Sequence, residues 1–218
     1  MTENTRKRSS SELGFIHQFI PASSNRSDQT TLLLLHGTGG NEEDLIPLGR
    51  ELYPGTAILS PRGKVLESGM PRFFHRLAEG VFDTEDLKFR THELADFVEK
   101  ASKIYGFDIR YLISVGYSNG ANIASSMLLL RPEVMSSAVL FRAMIPFVPE
   151  KDPNLATKNV FMAAGEHDPI VPKEQTEMLY RLYKRAGANV ILHWQKNYGH
   201  ELGNDEISAA KEWLANFR

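Results

Sequence analysis

Short apolar runs alternate with amphipathic stretches along most of this chain. The apolar runs predict strands over residues 15–20, 30–35, 57–60, 109–115, 134–140, 159–164 and 189–195. The amphipathic stretches, in which apolar side chains recur every three or four positions, predict helices over residues 41–52, 84–105, 121–131, 173–186 and from about residue 205. Because strands and helices alternate, we predict an α/β fold with a mainly parallel twisted sheet and helices on both faces.

Three segments stand outside this alternation. The polar residues 1–12 are expected to form a flexible tail, which leaves residues 13–218 as a single domain. Residues 64–83 are the longest stretch without clear periodicity, and long irregular loops in compact domains are often functional. Residues 141–158 are too few to insert a cap domain between two strands, so we expect the neighbouring edge of the sheet to be open.

Composition and charge exclude several classes of function. The chain of 218 residues has a formal net charge of -2, which provides no long-range attraction for nucleic acid or an anionic membrane. It contains no cysteine, so disulfides, thiolate metal sites and a cysteine nucleophile are excluded. No apolar run approaches the ~20 residues that span a bilayer, and the polar start does not resemble a secretory signal. We therefore expect a cytoplasmic protein without membrane insertion.

The sequence Gly116-Tyr117-Ser118-Asn119-Gly120 lies where a predicted strand passes into a predicted helix. This G-x-S-x-G pattern is typical of a nucleophile elbow, in which a serine occupies strained backbone on a sharp turn. The two glycines are needed because the strand and the helix approach too closely for side chains. Ser118 is therefore the candidate nucleophile, and the alternative is a serine chosen for turn formation alone.

A glycine-rich loop, residues 36–41, follows one of the apolar runs. It matches neither the phosphate-loop pattern nor the dinucleotide fingerprint, so nucleotide binding is disfavoured. A loop that exposes backbone N–H groups after a central strand suits an oxyanion hole. We assign this role to the N–H groups of Thr38 and Asn119, with a simple tight turn as the alternative. His36 is expected to fix the loop rather than to act as a base.

A serine nucleophile needs a base to accept its proton and a carboxylate to orient that base. In a parallel sheet the carboxyl ends of the strands share one edge, and Asp168 and His200 each follow a predicted strand. The order Ser118, Asp168, His200 is the order expected after a nucleophile elbow. Two other histidines are weaker candidates, because His193 lies inside a predicted strand and His167 is interpreted as a loop residue.

Four residues are candidates for contact with a substrate: Arg72, Phe73, Phe74 and Arg142. The first three lie in the irregular segment 64–83, where aromatic and cationic side chains could line a pocket. The two rings could equally cover the core while the arginines beside them, Arg72 and Arg76, face water. No H-E-x-x-H sequence is present, so a zinc protease site is not supported.

Four motifs together resemble the phospholipase/carboxylesterase branch of the α/β-hydrolases, which includes acyl-protein thioesterases and dienelactone-hydrolase-like enzymes. The motifs are Leu35-His36-Gly37, Gly116-Tyr117-Ser118-Asn119-Gly120, Gly165-Glu166-His167-Asp168-Pro169-Ile170-Val171-Pro172 and Gly199-His200-Glu201. Phe73-Phe74 and Phe82-Asp83 further resemble bacterial carboxylesterases linked to hydroquinone resistance. The likeness spans residues 30–217 and implies an α/β-hydrolase fold without a cap domain.

Two departures from the thioesterase pattern disfavour a long lipid acyl chain. Residues 72–75 read Arg-Phe-Phe-His where the thioesterases carry Trp-Phe-Asp, and residues 141–143 read Phe-Arg-Ala where they carry Ser-Gly. We therefore expect a serine carboxylesterase that hydrolyses short-acyl or aromatic esters through an acyl-enzyme, without a metal or cofactor. The alternatives are acyl-protein thioesterase, lysophospholipase or dienelactone-hydrolase activity, or a non-catalytic binding protein of the same fold. The expected partner is a small-molecule ester, and a homodimer is compatible with the sequence.

Overall fold

A computed structural model of the protein describes residues 13–23 and 29–216. The strands are β1 (His17–Ile20), β2 (Thr31–Leu35), β3 (Ala57–Pro61), β4 (Val65–Glu67), β5 (Met70–Arg72), β6 (Arg76–Ala78), β7 (Val81–Phe82), β8 (Leu112–Tyr117), β9 (Ser137–Phe141), β10 (Asn159–Gly165) and β11 (Asn189–Gln195). The helices are α1 (Ile46–Leu52), α2 (Thr84–Tyr105), α3 (Asn119–Leu130), α4 (Lys173–Arg185) and α5 (Asn204–Ala215). The expected tail, residues 1–12, lies outside the described residues, so the division into a tail and one domain stays a prediction.

Seven strands form the main sheet in the order β1-β3-β2-β8-β9-β10-β11. β1 pairs antiparallel with β3 at one edge, and every other neighbouring pair in this sheet is parallel. The sheet is therefore mainly parallel, as predicted, and the strand predicted over residues 15–20 forms one of its two outer strands. The strands β2, β8, β10 and β11 run in the same direction. The loops that follow them therefore all leave from the end of the sheet that is formed by the carboxyl ends of these strands.

The strand β2 illustrates how the sheet is covered on both faces. Leu33 and Leu35 belong to a core that includes apolar side chains of α2, α3 and α4, whereas Leu32 and Leu34 belong to a core that includes those of α1 and α5. Successive side chains of a strand point to opposite faces, so a strand of four consecutive leucines needs apolar partners on both. The predicted burial of this strand on both faces is confirmed.

Some element boundaries differ from the prediction. A 3-10 turn, Ile109–Tyr111, precedes β8, which begins at Leu112 and extends to Tyr117. The first predicted helix begins only at Ile46, because Asn41 accepts a hydrogen bond from the N–H of Glu43 at 2.7 Å and so favours a turn.

Residues 64–83 contain more regular structure than their sequence indicated. β4 pairs with β5, and β6 pairs with β7, to give two small antiparallel hairpins outside the main sheet. Residues 142–158, which the structure describes completely, form no helix or strand. The edge of the sheet next to them therefore carries no cap domain, as expected.

Candidate active site

Ser118 lies at the junction of β8 and α3 with φ 52° and ψ -113°. A positive φ is unfavourable for a residue that has a Cβ atom, and such strain is often stored at functional turns. Crowding explains the flanking glycines: a Cβ atom on Gly120 would lie 1.9 Å from the carbonyl oxygen of Leu35, and one on Gly116 would lie 2.6 Å from that of Gly120. The junction therefore has the geometry predicted for a nucleophile elbow.

The side chains of Ser118, His200 and Asp168 form a continuous hydrogen-bonded relay. His200 Nε2 lies 2.8 Å from Ser118 Oγ, and His200 Nδ1 lies 2.8 Å from Asp168 Oδ2. Asp168 follows β10 and His200 follows β11, so parallel strands bring the three side chains to the same edge of the sheet. The structure thus brings together the three residues that the sequence singled out as nucleophile, base and orienting carboxylate.

The carboxylate of Asp168 is almost completely buried but accepts several hydrogen bonds. Burial alone would raise its pKa, yet the hydrogen bond with His200 and those from the backbone N–H groups of Val171 and Ile170 outweigh burial and lower the pKa. Asp168 is therefore ionised at neutral pH. An ionised carboxylate at this position holds the proton of His200 on Nδ1 and leaves Nε2 free to accept a proton from Ser118.

The loops that carry Asp168 and His200 pack tightly against each other. A Cβ atom on Gly165, the last residue of β10, would lie 2.2 Å from the carbonyl oxygen of Gly199, so only glycine permits this approach. The Oη of Tyr117 donates a hydrogen bond to the carbonyl oxygen of His200 at 3.0 Å. The imidazole is thus carried by a loop that neighbouring elements restrain.

Thr38 and Asn119, the predicted oxyanion-hole residues, both line the cleft beside Ser118. Their side chains are held by the residues at the end of β5. Arg72 Nη1 donates to Thr38 Oγ1 at 2.6 Å, and the backbone N–H of Phe73 donates to Asn119 Oδ1 at 2.8 Å. One segment therefore braces both residues that the sequence assigned to this role.

A cleft of about 350 Å³ opens over the hydroxyl of Ser118. Apolar parts of its wall come from Phe82, Met144, Ile170 and Val171, and polar parts come from Arg72, Arg76, Glu79 and Asn122. The segment that holds β5 to β7 thus forms one side of the cleft, and the loops after β9 and β10 form the other. This volume suits a small ligand, since pockets for drug-sized molecules span about 300–1,000 Å³.

Only Arg72, among the four predicted substrate-contact residues, lines this cleft. The side chains of Phe73 and Phe74 are buried in the core on the α2–α4 face of the sheet, so their predicted contact with substrate is wrong. The alternative interpretation, that the two rings cover the core, describes them better. Arg72 does not face water, because it is 4% exposed and forms an ion pair with Glu67 at 3.1 Å.

Arg142 is also misplaced by the sequence prediction, because its side chain is fully buried and does not reach the cleft. Its guanidinium forms a bidentate ion pair with Glu206, with Nη1–Oε2 and Nη2–Oε1 distances of 2.6 and 2.7 Å. Because the guanidinium of Arg142 is fully buried outside the cleft, it is unavailable for a substrate group. No local pattern indicates this pair, since its members are 64 positions apart in the chain.

The other histidines considered from the sequence have different surroundings from His200. His36 is buried and accepts a hydrogen bond from the N–H of Gly63 at Nε2, at 3.0 Å, so it fixes the loop as expected. Burial lowers the pKa of His36, which keeps the ring neutral. His193 lies within β11 with its ring 6.2 Å from that of Phe161, and His167 is exposed.

Sequence patterns did not identify most of the wall of the cleft. Ile170 and Val171 directly follow Asp168, Met144 follows a strand end, and Phe82 appeared only as part of a resemblance. Their position next to the triad motifs was the available signal, because residues that flank a strand-end motif share its edge of the sheet.

The described part of the chain offers neither a metal centre nor a membrane span. Among residues 13–23 and 29–216, no group of three or more histidine, cysteine, aspartate or glutamate side chains is placed to hold a metal ion. No helix within these ranges combines the length and the apolar character needed to cross a membrane.

Comparison with known proteins agrees with this geometry. The family described as Phospholipase/Carboxylesterase matches residues 17–217. MhqD of Bacillus subtilis (strain 168), a putative hydrolase by name, is 48% identical over 187 residues, which cover 86% of this chain and 93% of MhqD. This match confirms the resemblance to the bacterial hydroquinone-resistance branch.

Two solved structures support the same assignment. The crystal structure of a Bacillus cereus carboxylesterase superposes with a TM-score of 0.93 at 46% identity, and the match covers 99% of both chains. YahD, solved with malic acid, superposes with a TM-score of 0.86 at 32% identity, and the match covers 94% of this chain and 100% of that one. The fold is therefore that of the α/β-hydrolases.

Proposed function

Since the chain belongs to the phospholipase/carboxylesterase family of α/β-hydrolases, we propose that it is a serine carboxylesterase that uses Ser118, His200 and Asp168 as its catalytic triad. The observation that carries this proposal is the relay of two hydrogen bonds, each 2.8 Å long, that ends on a serine hydroxyl beneath an open cleft. Among the functions considered, ester hydrolysis makes use of each part of this arrangement.

In the acylation step, Ser118 Oγ attacks the carbonyl carbon of the ester while His200 Nε2 takes the hydroxyl proton. A serine hydroxyl is a weak nucleophile at neutral pH, so this transfer is essential to the step. Asp168 remains ionised and stabilises the imidazolium that forms. His200 then gives the proton to the departing alcohol, and the acyl group stays on Ser118.

The tetrahedral intermediate carries a negative charge on the former carbonyl oxygen. We assign the backbone N–H groups of Thr38 and Asn119 as its hydrogen-bond donors. Asn119 is the first residue of α3, so the positive end of the helix dipole also favours the oxyanion. Loss of one such donor typically costs about 10² to 10³ in turnover, which makes this a major part of the catalysis.

Deacylation repeats the sequence of steps with water in place of the alcohol. His200 accepts a proton from water, hydroxide attacks the acyl carbon, and Ser118 is regenerated when His200 returns the proton to Oγ. Residues 142–158 form no cap domain over the site, which supports access of water and release of the acid product. Neither step calls for a metal or a redox cofactor.

The substrate class is a small ester with a short acyl or aromatic group and a polar substituent. The cleft of about 350 Å³ lies within the range of pockets for small molecules, and its apolar wall includes the ring of Phe82. Arg72 and Arg76 add two cationic groups to the same wall, where they share the single carboxylate of Glu67. The structural relative YahD was solved with malic acid, a small hydroxy acid, and a carboxylate of this kind would suit Arg72.

Hydrolysis of p-nitrophenyl acetate by the wild-type chain and by Ser118→Ala tests the proposal. If the triad acts as a unit, the substitution should lower kcat by about 10⁶-fold. A matched control is Ser68→Ala, because Ser68 is an exposed serine with the same φ of 52° that lies outside the cleft. Wild-type turnover in Ser118→Ala, or equal losses in both variants, would refute the proposal.

A panel of esters and thioesters then separates the remaining alternatives. We expect the highest kcat/KM for short-acyl and aromatic oxygen esters. A clear preference for long-chain acyl thioesters or lysophospholipids would favour the thioesterase or lysophospholipase alternative. Failure of a fluorophosphonate to label the wild-type chain would favour a non-catalytic binding protein.

A further inference from the structure

The loop that carries His200 is held by side chains at three consecutive carbonyl groups. Arg142 Nε donates to the carbonyl oxygen of Gly199 at 2.9 Å, and Tyr117 Oη donates to that of His200 at 3.0 Å. Arg142 Nη2 donates to the carbonyl oxygen of Glu201. The guanidinium of Arg142 thus binds the backbone carbonyl groups directly before and directly after His200, and the hydroxyl of Tyr117 binds the carbonyl group of His200 itself.

The guanidinium of Arg142 also binds groups in a helix and in a strand of the main sheet. Nη1 and Nη2 form the bidentate pair with Glu206 in the first turn of α5, and Nη1 also lies 3.4 Å from the carbonyl oxygen of Ala163 in β10. Glu206 Oε1 in addition accepts a hydrogen bond from the N–H of Gly203 at 2.7 Å. Because the guanidinium is planar and rigid, it fixes the loop relative to both the sheet and α5.

Two features of this pair are hard to explain by stability alone. The side chains of Arg142 and Glu206 are both 0% exposed, and replacing a buried ion pair by uncharged groups is often neutral or stabilising. Arg142 also adopts φ 60°, an unfavourable conformation for a residue with a Cβ atom. Strain and buried charge at one residue next to a reactive group point to a role in placing that group.

The pair lies close to the second hydrogen bond of the relay as well. Arg142 Nε is 3.9 Å from Asp168 Oδ2, the oxygen that contacts His200 Nδ1. Arg142 therefore borders both the loop that holds the base and the carboxylate that orients the base. A shift of this side chain would change the position of the imidazole relative to Ser118 and Asp168 together.

We propose that Arg142, held in place by Glu206, is a positioning residue that sets the distance between the imidazole of His200 and the hydroxyl of Ser118. The inference rests on the proposed esterase function, in which His200 transfers the proton. Arg142 does not touch substrate, so it acts on turnover through His200. Misplacement of a reacting group by about 1 Å typically costs on the order of 10² in rate.

The decisive variant is the double substitution Arg142→Met/Glu206→Gln. It removes both buried charges together, so neither is left unpaired, and the amide oxygen of the introduced glutamine can still accept the hydrogen bond from the N–H of Gly203. We expect this variant to fold, with kcat for p-nitrophenyl acetate lowered on the order of 10²-fold and KM within about threefold of wild type. Fluorophosphonate labelling of Ser118 should slow in parallel, since it needs the same base.

A matched control is Arg185→Met/Asp152→Asn. Arg185 also pairs with a carboxylate through two nitrogens, at 2.5 and 2.9 Å, but at an exposed site away from the cleft. Its removal should leave kcat and KM unchanged. Wild-type kcat in Arg142→Met/Glu206→Gln would overturn the proposal, as would a loss confined to KM or to thermal stability.

A second variant keeps the proposal testable if the double substitution does not fold. Arg142→Lys retains the buried charge opposite Glu206, but a single ammonium cannot serve the carbonyl groups of Gly199 and Glu201 and both carboxylate oxygens. We expect kcat to fall about tenfold with KM unchanged, and wild-type kcat would contradict the proposal. Equal ester turnover by wild type and Ser118→Ala would instead show that the proposed function itself is wrong.

Discussion

The two sides of the cleft are built in different ways. On one side, Ser118, Asp168 and His200 follow strands of the main sheet and are joined by hydrogen bonds. On the other side, residues 65–82 form two small hairpins outside that sheet, and Leu77 in the second hairpin is 73% exposed. The proposed reacting groups therefore lie at the carboxyl ends of strands of the main sheet, whereas much of the wall that would contact substrate belongs to a separate segment. Rate should thus depend on the first side and selectivity on the second.

The largest expected effect comes from interrupting the relay on the sheet side. His200→Ala should lower kcat for every ester by about 10⁶-fold, because Ser118 then lacks a base. Steady-state kinetics on neutral and carboxylated esters measure this effect. The control is His167→Ala, which removes an exposed histidine next to Asp168 and should leave kcat unchanged. A larger loss in His167→Ala than in His200→Ala would reverse the assignment of the base.

A smaller and substrate-dependent effect is expected on the hairpin side. Arg72→Met should lower kcat/KM for carboxylated esters by about 10- to 100-fold, since a charge-assisted hydrogen bond contributes about 1.5–3 kcal/mol. Arg72→Lys retains the charge and serves as the matched control, with a smaller loss. Both variants also alter the group that donates a hydrogen bond to Thr38 Oγ1. The loss of kcat/KM for neutral esters therefore measures how far Arg72 acts by holding the loop of Thr38. Equal losses of kcat/KM for neutral and carboxylated esters would show that Arg72 acts only through Thr38.

The smallest expected effect is on stability rather than on rate. It concerns Asp168, the buried carboxylate that follows β10 on the sheet side of the cleft. The pKa of Asp168 is lowered in the folded protein, so its ionised form stabilises the fold above the unfolded pKa of about 3.9, and this contribution is lost as the pH falls through the lower folded pKa. Asp168→Asn removes the contribution at every pH. Urea unfolding measures the free energy of unfolding of wild type and of Asp168→Asn. The free energy of wild type should exceed that of the variant by more at neutral pH than below pH ~4. A free-energy difference that grows as the pH falls would contradict the predicted lowering of the pKa of Asp168 in the folded protein.

Sequence patterns predicted the sheet side of the cleft better than the hairpin side, for a physical reason. Strand ends, the elbow glycines and the triad order are local signals, and parallel pairing brings them together without further information. The hairpins have strands of only two or three residues, too short for a periodic pattern to emerge. Phe73 and Phe74 were ambiguous because the same apolar rings suit a pocket wall and a core.

Arg142 and Glu206 show a second limit of the sequence. A cation after a strand is more often exposed than buried, so Arg142 was expected in the cleft. Its burial depends on a carboxylate far along the chain and on three carbonyl groups, and such partners become apparent only when the fold is known. The interactions that place the loop of His200 are therefore less visible in sequence than the candidate catalytic residue that the loop carries.

Activation of Ser118 by His200 underlies every other step of the proposed mechanism, and covalent labelling tests it most directly. Wild-type protein is treated with a fluorophosphonate, and the modified peptide is identified by mass spectrometry. We predict one adduct per chain, on Ser118, formed rapidly in wild type and at a strongly reduced rate in His200→Ala. Labelling at another residue, or labelling of Ser118 at the same rate without the imidazole of His200, would contradict this activation.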